Sequence, residues 1–152
     1  MNKTFLDYVA ELPNLMEKLK KSEIRTRDNL HCTPRKGIYV FYEDAKPLYV
    51  GRSNNIKTRI QYNCRPSSGH GSATFAFILA KENAKANGIN INMERGQLEN
   101  DPRFKKEFNM AKDRVSKMLI RVIDIDNQII QSLFDVYASI ELKTKYNDFS
   151  TH

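Results

Sequence analysis

The stretch Gly37-Ile38-Tyr39-Val40-Phe41-Tyr42-Glu43, followed after Asp44-Ala45-Lys46-Pro47 by Leu48-Tyr49-Val50, decides the fold. Its first seven residues are rich in β-branched and aromatic side chains, the composition of a pleated, half-buried surface. Asp44 to Pro47 reads as a turn and Leu48 to Val50 as a second strand, so the pair forms a hairpin. A third strand is expected at Met118 to Ile125, a short apolar run interrupted by Arg121 and Asp124.

Helices surround these strands. Residues 3–21 place Phe5, Leu6, Val9, Leu12, Leu15, Met16 and Leu19 near helical spacing, with Pro13 inside, so one helix or two short ones are both open. Ser22 to Lys36 is a polar connection. Ser53, Asn54 or Asn55 caps a short helix reaching about Tyr62, and Cys64 to Gly71 is loop. Ser72 is expected to cap a helix from Ala73 to about Ala86, closed by Asn87-Gly88. Residues 89–100 are polar and irregular. Asp101-Pro102 opens a helix to about Arg114, whose Lys105, Lys106, Lys112 and Arg114 make a candidate DNA-facing surface. Asp126 is expected to cap a last helix, Asn127 to about Leu142. The order α, hairpin, α, α, α, β, α gives an α/β (α+β) fold: a small, mainly antiparallel sheet of three strands covered by helices.

The chain of 152 residues favours a single domain, with residues 1–36 as a helical extension and 37–149 as the main module. No apolar run is long enough to span a membrane, and Asp7, Glu11 and Glu17 argue against a signal peptide, so the cytoplasm is the expected compartment. Cys32 and Cys64 are too few for a disulfide framework, and His31, His70 and His152 do not supply zinc-ligand spacing. The net charge of +7 is the electrostatic footprint of a nucleic-acid binder.

Gly37-Ile38-Tyr39 on the first strand, Tyr49-Val50-Gly51 ending the second and Arg59 ten residues after Tyr49 resemble the GIY-YIG endonuclease family. The resemblance covers residues 37–149, with the stretch from about 81 to 117 as a helical elaboration. It implies a GIY-YIG-like fold, DNA as partner, one Mg2+ or Mn2+ ion, and hydrolysis of phosphodiester bonds. It also implies a metal-binding glutamate on a late helix, with an asparagine about a dozen residues beyond. Counting back from Asn147 reaches Asp135, where this sequence departs from the family by one methylene. Helical phase agrees: Ile130, Phe134, Tyr137 and Ile140 are expected on one apolar side, and Asp135 on the other with Gln131 and Ser139. Glu141, six residues on, is rotated well away.

The chemistry is intelligible without the family. Hydrolysing a phosphodiester needs an attacking water, a base and charge stabilisation. A tyrosine is a poor base in water, with a pKa of about 10, but a nearby cation makes it useful. Tyr39 and Tyr49 are therefore the candidate proton-transfer pair, either of them the base. Arg59 offers a planar fork suited to two phosphate oxygens. Gly51 lets backbone approach the site closely. His70, in a loop before a helix, is a candidate for phosphate contact or proton transfer. Some relatives carry a histidine four residues after the arginine, where this chain has Asn63. Arg52, Ser53 and Lys57 are candidates for phosphate contact, and Asn147 for DNA contact or for fixing backbone near the site. The rival expectation is a catalytically weak or inactive domain of this type that binds DNA without cutting it. Oligomeric state is open.

Overall fold

The computed structural model describes residues 1–150. The chain runs α1 (Lys3–Lys21), β1 (Gly37–Glu43), β2 (Lys46–Ser53), α2 (Ile56–Cys64), α3 (Thr74–Ala86), α4 (Arg95–Asn100), α5 (Pro102–Ser116), β3 (Leu119–Asp124) and α6 (Gln128–Leu142). It divides into two compact units, Met1–Lys57 with the chain from Leu119 onward, and Thr58–Met118. The helical elaboration expected from about 81 is thus the later part of a unit that begins within α2. No helix among the described residues is long and apolar enough to cross a membrane.

The first unit is built on an antiparallel sheet in the order β2-β1-β3. Its hairpin turn is tighter than the sequence suggests. Asp44 and Ala45 both take left-handed φ values, 53° and 62°, the conformation whose twist matches the flanking strands. The turn therefore ends at Ala45, and β2 runs from Lys46 to Ser53. Pro47 is tolerated within it because β2 is an edge strand. The register passes from Phe41↔Tyr49 to Tyr42↔Pro47, so Leu48 forms a bulge.

Cross-strand partners share a face of the sheet. Tyr39, Phe41, Tyr49 and Gly51 lie on one face, and Ile38, Val40, Val50 and Arg52 on the other. The second face carries the main core of this unit. Ile38, Val40 and Val50 join Leu12, Leu15, Met16 and Leu19 of α1 and Ile130, Phe134 and Ala138 of α6 in one apolar core. α1 is a single helix through Pro13. Proline withholds the N–H that would bond the Val9 carbonyl, and Val9 is on the exposed side, where water can replace it.

Both sheet edges are closed locally, which blunts their tendency to pair with other chains. On β3, the backbone N–H and C=O of Arg25 bond Ile120 at 2.7 and 2.8 Å. On β2, the Asn147 amide does the same to Val50, both bonds being 2.8 Å.

α6 differs from its sequence reading in two ways. Asn127, not Asp126, caps it, accepting from the N–H groups of Ile129 and Ile130. Its phase is also rotated: Ile140 is 68% exposed, whereas Gln131 and Ser139 are buried. Each of those two polar groups has a backbone acceptor, Gln131 Nε2 bonding the Ile125 carbonyl and Ser139 Oγ the Asp135 carbonyl. Satisfied polar groups can be buried at little cost, so the stripe bearing Asp135 turns inward.

The second unit has its own core. Phe77 packs against Phe104 and Phe108, with ring centroids 5.1 and 5.5 Å away. α5 begins as its sequence suggests, with Asp101 accepting from Arg103 and Phe104. α4 lies in the stretch expected to be irregular; its one buried residue is Leu98, too little to create a periodic signal. Ser72 does not cap α3. Buried Asn63, on α2, supplies that bond instead, its Oδ1 accepting from Phe75 and Ala76 at 3.0 and 3.3 Å. Lys112, expected on an exposed basic surface, is buried, donating to the carbonyls of Pro66 and Ser68.

Gly37 carries the tightest backbone constraint. Its φ is +149°, and a Cβ there would lie 2.0 Å from the Ile123 carbonyl oxygen and 2.9 Å from the Ile125 nitrogen. Gly37→Ala should therefore cost roughly 2–4 kcal/mol, from strain and overpacking together, read by urea unfolding with the denaturant slope unchanged. A loss below about 0.5 kcal/mol, the range of ordinary surface changes, would contradict the close approach of β3.

Candidate active site

In the first unit, Tyr39 is buried and its ring lies across the backbone of Gly51. A Cβ at Gly51 would come within 2.1 Å of the ring Cζ and 2.3 Å of the phenol oxygen. The group that approaches Gly51 closely is thus the phenol of Tyr39. Phe41 braces it edge-on, with centroids 5.7 Å apart. Tyr49, half-buried, stands opposite Phe41 on the same face and is the diagonal neighbour of Tyr39. Diagonal positions are typically about 7–8 Å apart, within reach for aromatic side chains.

Asp135 projects from the inward polar stripe of α6. It is half-buried, and its Oδ1 is closed off from solvent with no hydrogen-bond partner. Burial pushes its carboxyl up from 3.8 to about 6, with the Arg52 charge opposing the shift. Arg52 is anchored to the same helix, its Nε donating to Gln131 Oε1 at 3.4 Å and its Nη2 to Gln128 Oε1 at 3.2 Å. Gln128 continues the chain to Asn54 Oδ1 at 2.7 Å. These two glutamines escape a sequence reading that looks for charged or nucleophilic groups. Gln131, one turn before Asp135, was visible only as a member of its stripe.

The Asn147 amide is engaged at both ends. Besides its bonds to Val50, its Oδ1 accepts from the Thr144 hydroxyl at 2.8 Å. It therefore holds the backbone of β2 between Tyr49 and Gly51, as expected of a residue that fixes backbone there. Ser53 accepts from the Asn55 N–H at 2.9 Å and shapes the exit from β2. Lys57 is exposed on the first turn of α2.

Two sequence candidates fall in the second unit. Arg59 is half-buried, with Nη1 directed at the carbonyls of Gly71 and Ser72, at 3.3 and 3.4 Å. His70 is held by Glu99, whose carboxylate meets both Nδ1 and the backbone N–H of His70. Burial alone would raise the Glu99 carboxyl, but the His70 hydrogen bonds, with the charges of His70 and Lys112, prevail and hold it below its usual value. Burial lowers Lys112, against the opposing charge of Glu99. Asn63 also donates to the Arg59 carbonyl at 3.1 Å, so it fixes the turn of α2 that bears Arg59.

As a metal ligand Asp135 has the right chemistry: a carboxylate with an orphaned buried oxygen. Among the described residues no three His, Cys, Asp or Glu side chains come together, so an ion held by Asp135 would draw most of its ligands from water and substrate, a pattern common for magnesium. Cys32 and Cys64 are free thiols, and His152 lies outside the described residues. No protein-family model, curated protein or solved structure matches the chain.

The raised carboxyl of Asp135 makes stability depend on pH in a defined direction. Below about pH 4 both folded and unfolded chains carry a neutral group there. Between about 4 and 6 the unfolded chain ionises first, so the native state loses stability as pH rises. Asp135→Asn should thus match the wild type near pH 4 and exceed it above pH 6, by on the order of 1–3 kcal/mol in chelator. Urea unfolding at the two pH values checks this; a gap that does not change with pH would show that Asp135 is not desolvated.

Proposed function

We propose that the chain is a metal-dependent DNA endonuclease of the GIY-YIG type, acting in the cytoplasm with one Mg2+ or Mn2+ ion. One observation carries the reading: the GIY and YVG motifs come together as a tyrosine pair on one sheet face, with Gly51 beneath the Tyr39 phenol. The orphaned carboxylate of Asp135, on α6, which packs against the opposite face of the sheet, is the candidate ligand for the ion.

In this reading Tyr39 and Tyr49 hold and move the proton of the attacking water at a phenol oxygen. Asp135 holds the ion, and Asn147 keeps β2 in place. A divalent ion there would supply charge for the phosphate and the leaving oxygen. Arg59 binds the phosphate. Its present contacts are long bonds to neutral carbonyls, which charged phosphate oxygens outcompete. His70 acts through Nε2, since Nδ1 is committed to Glu99. Arg52, Ser53 and Lys57 lie along the DNA backbone.

A second reading, DNA binding without turnover, is favoured by Asp135 itself, which is shorter than the glutamate of the family and partly desolvated.

Nicking of supercoiled plasmid with magnesium or manganese separates the two readings. Arg59→Ala and Asp135→Asn should each lower cleavage by about two to three orders of magnitude, and at least one of Tyr39→Phe and Tyr49→Phe should lose most activity. Glu141→Gln, altering an exposed residue of α6, should change little. Because metal binding needs the carboxylate form, the magnesium requirement should climb as pH falls through about 6. Wild-type protein that binds DNA but never nicks it supports the second reading; cleavage indifferent to all four site variants refutes the first.

A further inference from the structure

We infer that the second unit, Thr58–Met118, supplies the main grip on DNA, through phosphate contacts on the exposed basic face of α5. The choice of DNA rests on the nuclease reading above. The charge of the chain is unevenly divided. Thr58–Met118 holds eleven lysines and arginines against six acids, so it carries five of the seven net positive charges. The remainder, although longer, holds fourteen against twelve and is nearly balanced.

Within this unit the geometry singles out α5. The helix buries Phe104, Phe108, Ala111 and Val115 at spacings of three and four, so its opposite face centres on Lys106. Arg103, Lys105 and Lys106 are exposed there, with Lys117 at the C-cap of the helix. Most nearby acids are already occupied. Glu99 is bonded to His70, and Glu107 accepts from Asn87. Asp101 caps α5 and lies 3.8 Å from Arg103, and Asp113 lies 3.0 Å from Lys117. Lys112 is buried on two loop carbonyls and cannot serve. Lys105 and Lys106 are left as the surplus charge. Lysines displayed in this way neutralise phosphates and release counterions. They carry no base readout, so the grip is independent of DNA sequence.

The test compares two equal charge changes in the full chain. Lys105→Gln/Lys106→Gln removes two charges from α5, and Lys18→Gln/Lys20→Gln removes two exposed charges from α1. Binding to a duplex of random sequence is measured in chelator, over a range of salt. The α5 variant should bind about tenfold more weakly near 0.1 M salt, with the log–log salt slope shallower by about two. The α1 variant should match the wild type. Equal weakening by both variants would show that net charge alone acts, and weakening by neither would remove α5 from the interface; either overturns the inference and leaves the nuclease reading standing. Preference for an RNA duplex at equal salt overturns the choice of DNA. Wild-type protein that binds no duplex at all overturns both readings.

Discussion

The contact of the Tyr39 ring with the backbone of Gly51 is the constraint on which the candidate site depends. It makes a residue without a side chain obligatory at the end of β2, because even a methyl group would overlap the phenol. It also fixes where the phenol oxygen lies, since a ring resting on backbone and braced edge-on by Phe41 has few alternative rotamers. The register that creates this contact is secured on the other face, where Ile38, Val40 and Val50 are locked into the core with α1 and α6. A slip of one residue would bring the tyrosines into that core and turn the aliphatic side chains out. Apolar burial on one face therefore sets the positions of Tyr39 and Tyr49 on the other.

The edges of the sheet extend the same logic. A three-stranded sheet with its central strand paired on both sides has two open edges. Here Arg25 occupies one and Asn147 the other. Asn147 imitates a strand with a side chain, satisfying the N–H and C=O of Val50 without adding a further row of pairing groups. Its place between Tyr49 and Gly51 couples the end of the chain to the residues of the site.

What the sequence revealed was governed by local signals. β1 is legible because five β-formers, Ile38 to Tyr42, run together, and the start of α5 because Asp101-Pro102 is a local cap. The motif spacing brought out Tyr39, Tyr49 and Gly51 together. What it hid was decided by partners distant in sequence. The cap of α3 comes from Asn63 on another helix, and α4 buries Leu98 alone. Lys112 looks like a solvated lysine until two loop carbonyls close on it. The phase of α6 is hidden for the same reason. Gln131 and Ser139 count as polar in any periodicity argument, yet each brings its own hydrogen bond and is buried, while Ile129, Val136 and Ile140 stay exposed. Periodicity registers hydrophobicity, whereas burial depends on whether polar groups find partners.

That distinction bears directly on Asp135. Its neighbours on the stripe are satisfied: Gln131 by the Ile125 carbonyl, Ser139 by the Asp135 carbonyl. Asp135 alone has a buried oxygen that nothing meets. Arg52 stands near enough to lower the carboxyl, but its guanidinium is directed to Gln128 and Gln131. Had it closed on Asp135, a bidentate ion pair would have satisfied the carboxylate and held it in its ionised form. The two glutamines keep the arginine from doing so. The arrangement sacrifices some stability at neutral pH, and it leaves Asp135 Oδ1 without a hydrogen-bond partner. Unsatisfied groups of this kind are rare in folded proteins and concentrate where a protein binds or reacts, which singles out Asp135, rather than the exposed Glu141, as the candidate carboxylate of α6 in the proposed reaction.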